Sequence, residues 1–162
     1  MHQIFERFMN PATLMDAEQD LLGQGANAVA LLAAFFNGEA RNEWGFPYRQ
    51  FGLPVRCAIE VACRMGPLAK PLEAFLRAEL DDGLVVAATA LGGLGSLEDA
   101  SVQSLARRLR DGADMGCESA IALIKCGMQT HPLVTNALAN SYQATREFRR
   151  TEAFLRQSRI QA

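Results

Sequence analysis

Thiols and imidazoles are the side chains here best suited to attack a substrate or hold a soft metal. There are four of the first and two of the second: Cys57, Cys63, Cys117, Cys126, His2 and His131. No two cysteines stand in C-x-x-C spacing, and the histidines are far apart with no neighbouring ligand. A zinc site asks for clustered Cys or His, so no metal is expected. A cysteine nucleophile asks for a nearby base. His131 follows Cys126 by five residues, but across a helix end. Neither a G-x-x-x-x-G-K loop nor a dinucleotide fingerprint is present. Gly92-Gly93-x-Gly95 follows a helical pattern instead of a strand, so it is not a phosphate loop. The expectation is a chain that is not an enzyme and carries no cofactor. Its cysteines are expected to be free thiols, packed as small apolar groups.

A different chemistry gathers between residues 37 and 54, NGEARNEWGFPYRQFGLP. This stretch holds the single tryptophan, Trp44, together with Phe46, Tyr48, Phe51, Arg41, Glu43 and Arg49. Glycines at 38, 45 and 52 and prolines at 47 and 54 argue against a continuous helix. Exposed Trp, Tyr and Arg are the residue types that dominate protein interfaces. Glu43, Trp44, Tyr48 and Arg49 are therefore candidate partner-binding residues. The competing reading has the aromatics plug a gap in the fold, and it is favoured for Phe46 and Phe51.

The elements that position this loop show themselves as a repeat. VRCAIEVACRMG ends at Gly66, VVAATALGGLG at Gly95 and GCESAIALIKCG at Gly127, with a fainter copy, DAEQDLLGQG, at Gly25. Eight residues before these glycines stand Ala17, Ala58, Ala87 and Ser119, all small. Leu91 and Leu123 stand four before theirs, with Ala62 in the same place. A second helical pattern follows each glycine, as in Pro67 to Leu80, where Leu68, Leu72, Phe75, Leu76 and Leu80 form one apolar stripe. Each unit reads as a helix, a glycine cap in the left-handed conformation, a second helix and a polar turn. Ser96 is expected to cap one second helix, and Pro67 and Pro132 to open two others. Pro71 is expected within a first turn or at a kink, and Gly92-Gly93 to shorten its helix.

The A-x-x-x-L-x-x-x-G ending, cleanest at Ala87, Leu91 and Gly95, resembles that of short bacterial HEAT-like repeat proteins over about residues 16–141. The resemblance implies an all-α fold, a right-handed α-solenoid of about four helix pairs with capping terminal helices. The whole chain, 1–162, is then one domain. Its pairs fall at roughly 12–37, 54–80, 84–111 and 115–141, with a C-terminal capping helix at 142–160. Ile4, Phe5, Phe8 and Met9 are expected to cap one end, and Tyr142, Phe148, Phe154 and Leu155 the other. In this family the second helices usually line the concave face. That adds Arg77, Arg107 and Arg108 to the candidate binding residues, among neighbours such as Lys70, Glu73, Arg110, His131 and Asn136. HEAT-like di-iron hydroxylases carry adjacent His-Glu pairs, whereas here His2 precedes Gln3 and His131 precedes Pro132.

Charge narrows the partners. Sixteen basic against eighteen acidic residues exclude a strongly basic nucleic-acid binder. The chain is nonetheless polar end to end. Residues 1–54 hold three basic and six acidic side chains, and residues 128–162 five and two. The longest apolar run, Ala28 to Phe36, is nine residues. A spanning helix needs about twenty, so no membrane segment is expected. With no secretory signal pattern at the start and unpaired cysteines, a cytoplasmic location is expected. The function expected is a non-enzymatic protein-binding module, with a protein such as a bacterial toxin domain as its partner and immunity-type neutralisation as its role. The alternatives are a scaffold or lyase-type accessory subunit of a larger complex, and a self-associating structural protein.

Overall fold

The computed structural model describes residues 3–160, with side chains through Ser158; His2 and the side chain of Arg159 lie outside the described residues. The fold is all-helical, 75% helix, with no strand among the described residues. A short α1 (Gln3–Glu6) runs into a 3-10 turn and is followed by α2 (Leu14–Leu22) and α3 (Ala26–Phe36). After the aromatic loop come α4 (Gly52–Met65), a 3-10 segment (Gly66–Leu72) and α5 (Glu73–Asp81). Then follow α6 (Val85–Gly93), α7 (Asp99–Arg108), α8 (Ala113–Lys125), α9 (Pro132–Ala139) and α10 (Tyr142–Ile160). Among the described residues no helix is long and apolar enough to cross a membrane.

Helices pack on the next but one. α4 lies against α2 and α6, and α8 against α6 and α10. A second series runs beside it, in which α7 lies against α5 and α9, and the 3-10 segment lies against α3. The first series has small residues in its seams. Ala17, Ala58, Ala87 and Ser119 are fully buried, as are Leu21, Ala62, Leu91 and Leu123 one turn later. At Gly92 the approach is closest, because a Cβ there would stand 2.8 Å from the Cα of Ala122 on α8. Gly92-Gly93 therefore does not shorten its helix. Both residues belong to α6, and Gly92 is the point where its backbone touches its neighbour's.

Several local expectations are corrected. Gly25, Gly66, Gly95 and Gly127 all have positive φ. At Gly66, however, φ 57° pairs with ψ −131°, which is not the left-handed helical cap. Gly25 (φ 54°, ψ −124°) precedes α3, since α2 has already ended at Leu22. The second helix of the second pair does not open at Pro67. Pro71 has no N–H and its ring crowds the carbonyl four residues back, so residues 66–72 wind as 3-10 and α-helix starts at Glu73. Ser96 does not cap α7, which begins at Asp99 after Glu98; the Ser96 carbonyl instead accepts from Lys70 Nζ at 2.9 Å. Pro132 does open α9, where His131 Nδ1 accepts from the Leu133 amide at 3.3 Å.

The ends differ from one another. Phe5 and Phe8 are fully buried; Phe5 meets Phe8 edge-on and Phe35 and Tyr48 at a tilt. Met9 is exposed and Ile4 half-buried. α10 docks through Ala144, Phe148 and Thr151, a single stripe at helical spacing. Tyr142 and Phe154, expected in that cap, stand in solvent. Arg146, Arg149, Arg150 and Arg156 are exposed too.

Candidate functional site

The aromatic loop is a built hairpin. The Asn42 amide donates to the Phe46 carbonyl at 3.0 Å. Asn42 Oδ1 accepts from the amides of Trp44 (3.1 Å) and Phe46 (2.9 Å), so one side chain organises the whole tip. Arg41 donates to the Gly45 carbonyl at 2.8 Å. Below the tip, the Tyr48 amide donates to the Ala40 carbonyl at 3.0 Å. Trp44 is 69% exposed and Phe46 56% exposed. Phe46, expected to plug the fold, is therefore at the surface like Trp44, while Phe51 is half-buried. Glu43 is exposed beside them.

Tyr48 goes the other way. It is only 4% exposed, so it does not belong to a binding surface. Its ring joins the Phe5 cluster, and its hydroxyl donates to Glu6 Oε2 at 2.7 Å. Burial, and then the hydrogen bond and charge of Glu6, push its pKa up. Arg49, in the 3-10 turn Tyr48–Gln50 that follows the hairpin, holds its return arm. It donates to the Phe36 carbonyl at the end of α3 and faces Glu79 Oε1 of α5 at 3.6 Å. Burial raises the Glu79 pKa against the pull of that guanidinium. Tyr48 and Arg49 thus pin the base of the hairpin to the helices, and Trp44 and Phe46 project from it.

The three arginines expected on the second helices have three different situations. Arg108 is a clamp. It donates to the carbonyls of Leu80 (3.1 Å) and Asp81 (2.6 Å) at the end of α5 and pairs with Asp111 at 2.8 Å. Arg77 is half-buried and faces Glu98 at 3.8 Å. Arg107 is exposed and unpaired among the described residues. With Arg110, Asn136 and Asn140 it lines a cavity of about 250 Å³ between α7, α9 and α10. No carboxylate lines that cavity, so it suits an acidic side chain of a partner. Lys70 and Glu73 bind each other, and Glu73 also accepts from the Glu98 amide at 2.7 Å. Burial would raise the Glu73 pKa, but these two hydrogen bonds hold it below the usual carboxylate value.

A larger concavity lies on the first series, where no candidate was expected. It is a groove of about 830 Å³ lined by Glu18 of α2, Arg56, Cys57 and Glu60 of α4, residues 83–86 and Thr89, and Asp114, Cys117 and Glu118 of α8. Its origin is a late helix start. α4 runs from Gly52 toward Gly66 and α8 from Ala113 toward Gly127, whereas α6 starts at Val85, only ten residues before Gly95. α6 therefore begins about one helical turn later than both neighbours, and the gap is the groove. The one sequence signal was the Asp81-Asp82-Gly83 turn standing so close to Val85.

All four cysteines are free. Burial, then a hydrogen bond to Glu18, pushes Cys57 up to about 12, and burial also raises Cys63 and Cys126. These thiols are neutral at pH 7 and poor nucleophiles. Among the described residues no group of three or more His, Cys, Asp or Glu is placed to hold a metal ion. His131 Nε2 lies 3.2 Å from Asp99. No protein family, curated protein or solved structure matches this chain.

Proposed function

We propose that the chain is a non-enzymatic protein-binding module, built as a right-handed HEAT-like α-solenoid. The alternate-helix packing of both series and the small residues buried at one register of each repeat support that architecture. The binding role is carried by one observation. Trp44 and Phe46, two residues apart, are both exposed on a hairpin whose tip and base are held by hydrogen bonds. Large apolar side chains pre-ordered at the surface lose little entropy on binding, which is how interface anchors work. Glu43, exposed at the tip, supplies a polar contact beside that anchor, and Arg107 in the α7–α9–α10 cavity offers a separate one.

Within this class we favour an immunity-type role in the cytoplasm, binding and neutralising a cognate bacterial toxin. It rests on size, helix-pair architecture and the lack of a catalytic set, an analogy of form. A scaffold or lyase-type accessory subunit is the alternative, and a self-associating protein the third.

Affinity capture from the native host, with wild type and the Trp44→Ala/Phe46→Ala variant run in parallel, tests the binding role. A protein retained by the wild type and lost by the folded variant supports it. Light scattering that finds a stable dimer, broken by the same variant, would move the reading to self-association.

A further inference from the structure

We propose that the groove above the late-starting helix α6 binds a cationic amphipathic helix of the partner protein. This inference rests on the protein-binding reading and assigns it a second contact, at a groove lined by no residue of the hairpin.

The shape argues for a helix. α4 and α8 both pack against α6, so they flank a slot as wide as the helix between them. Where α6 is missing its first turn, the slot is about 10 Å across, the diameter of an α-helix, and about one 5.4 Å turn deep. Its floor is apolar. Leu84, Val85 and Val86 are half-buried, so they still offer surface to be covered. The Cys57 thiol beside them stays uncharged at neutral pH, as its raised pKa requires.

The rim argues for positive charge. Four carboxylates, Glu18, Glu60, Asp114 and Glu118, face one basic side chain, Arg56. Glu18 is already engaged by Arg64 at 3.7 Å, and Glu118 accepts from the Thr89 hydroxyl at 2.9 Å. Glu60 and Asp114 are exposed, on opposite walls, and neither has a hydrogen bond or ion pair among the described residues. A helix with an apolar stripe between two rows of Lys or Arg would cover the floor and neutralise both walls. An acidic or uncharged helix would leave the wall carboxylates unpaired and partly desolvated.

The probe is a fluorescein-labelled Leu/Lys amphipathic peptide, with a Leu/Glu peptide of the same apolar face as its control, read by anisotropy at fixed ionic strength. The wild type is expected to bind the Leu/Lys peptide and not the Leu/Glu one. Glu60→Gln/Asp114→Asn, which keeps shape and folding, is expected to weaken binding about tenfold, and Arg56→Gln to tighten it. Undiminished affinity in the double variant, or equal binding of the Leu/Glu peptide, overturns the proposal. Trp44→Ala/Phe46→Ala lies outside the groove and is expected to bind the peptide as wild type does. Loss of peptide binding there would contradict the groove as the site. Partner capture indifferent to Trp44 and Phe46 would sink the protein-binding reading instead.

Discussion

At the scale of single residues, small differences in position decide large differences in role. Gly92 shows this in packing. Any Cβ there must displace α8, because the atom it meets is backbone. Gly92→Ala is expected to destabilise by about 1–3 kcal/mol, since overpacking outweighs the better helix propensity of alanine. A urea midpoint at or above that of wild type would refute the close approach. Tyr48 shows the same in polarity. Tyr48→Phe keeps the ring in the Phe5 cluster and strands Glu6, at an expected loss of about 1 kcal/mol. Cys57 contributes to the response to alkali, together with Tyr48, Cys63 and Cys126. Its folded pKa is raised from 9.0 to about 12, so its contribution is complete below pH 9 and is lost as pH rises toward 12. Urea midpoints are therefore expected to fall above pH 9, and less steeply in Cys57→Ala; a midpoint flat across that window in the wild type would contradict it. Some of this was legible. Free thiols follow from their spacing and apolar helical context, and Cys57 and Cys126 are buried as that context implies, whereas Cys63 and Cys117 are only half-buried. That Tyr48 turns inward while Phe46 turns outward was not, because both are aromatic residues of one loop. What separates them is a long-range partner, Glu6, which no local pattern announces.

At the scale of elements, the glycines at 66, 95 and 127 mark the ends of α4, α6 and α8, and the tertiary contacts adjust where the other helices begin and end. The Gly66–Leu72 segment read as the start of an α-helix because its apolar stripe is continuous with that of α5. The stripe is real, and Leu72 is fully buried, but Pro71 forces the tighter winding that carries it there. The hairpin was legible only as a break in helical pattern. Its order comes from the Asn42 side chain accepting from amides two and four residues ahead and from Arg49 reaching α3 and α5. Arg107 and Arg108, adjacent in sequence, separate at this scale. Arg108→Ala removes donors from two terminal carbonyls of α5 and is expected to cost about 1–2 kcal/mol in urea denaturation. Arg107→Ala is expected to stay within about 0.5 kcal/mol of wild type. Equal effects from the two would show that Arg108 does not cap α5.

At the scale of the whole molecule, two helix series share one seam of Ala, Leu and Gly, and charge is parcelled out across the surface. Carboxylates gather around the groove, and exposed arginines around the α7–α9–α10 cavity and along α10, where Arg156 alone pairs with a carboxylate, Glu152, among the described residues. The near-zero net charge hid this, because opposite patches cancel in a sum. The seam itself can be tested from within. Ala88 and Ala120 are fully buried, and Ala88→Trp or Ala120→Trp is expected to unfold the chain or lower its melting point steeply. An unchanged melting point in both would mean the first series is not close-packed. In the proposed role, an intact helical scaffold presents Trp44 and Phe46 to a protein partner. The most direct measurement is partner capture by wild type and Trp44→Ala/Phe46→Ala at equal helical content, the content read by circular dichroism. Capture by the wild type and its loss in the folded variant is the expected result. Capture of the same partner, undiminished, by that variant would contradict the claim.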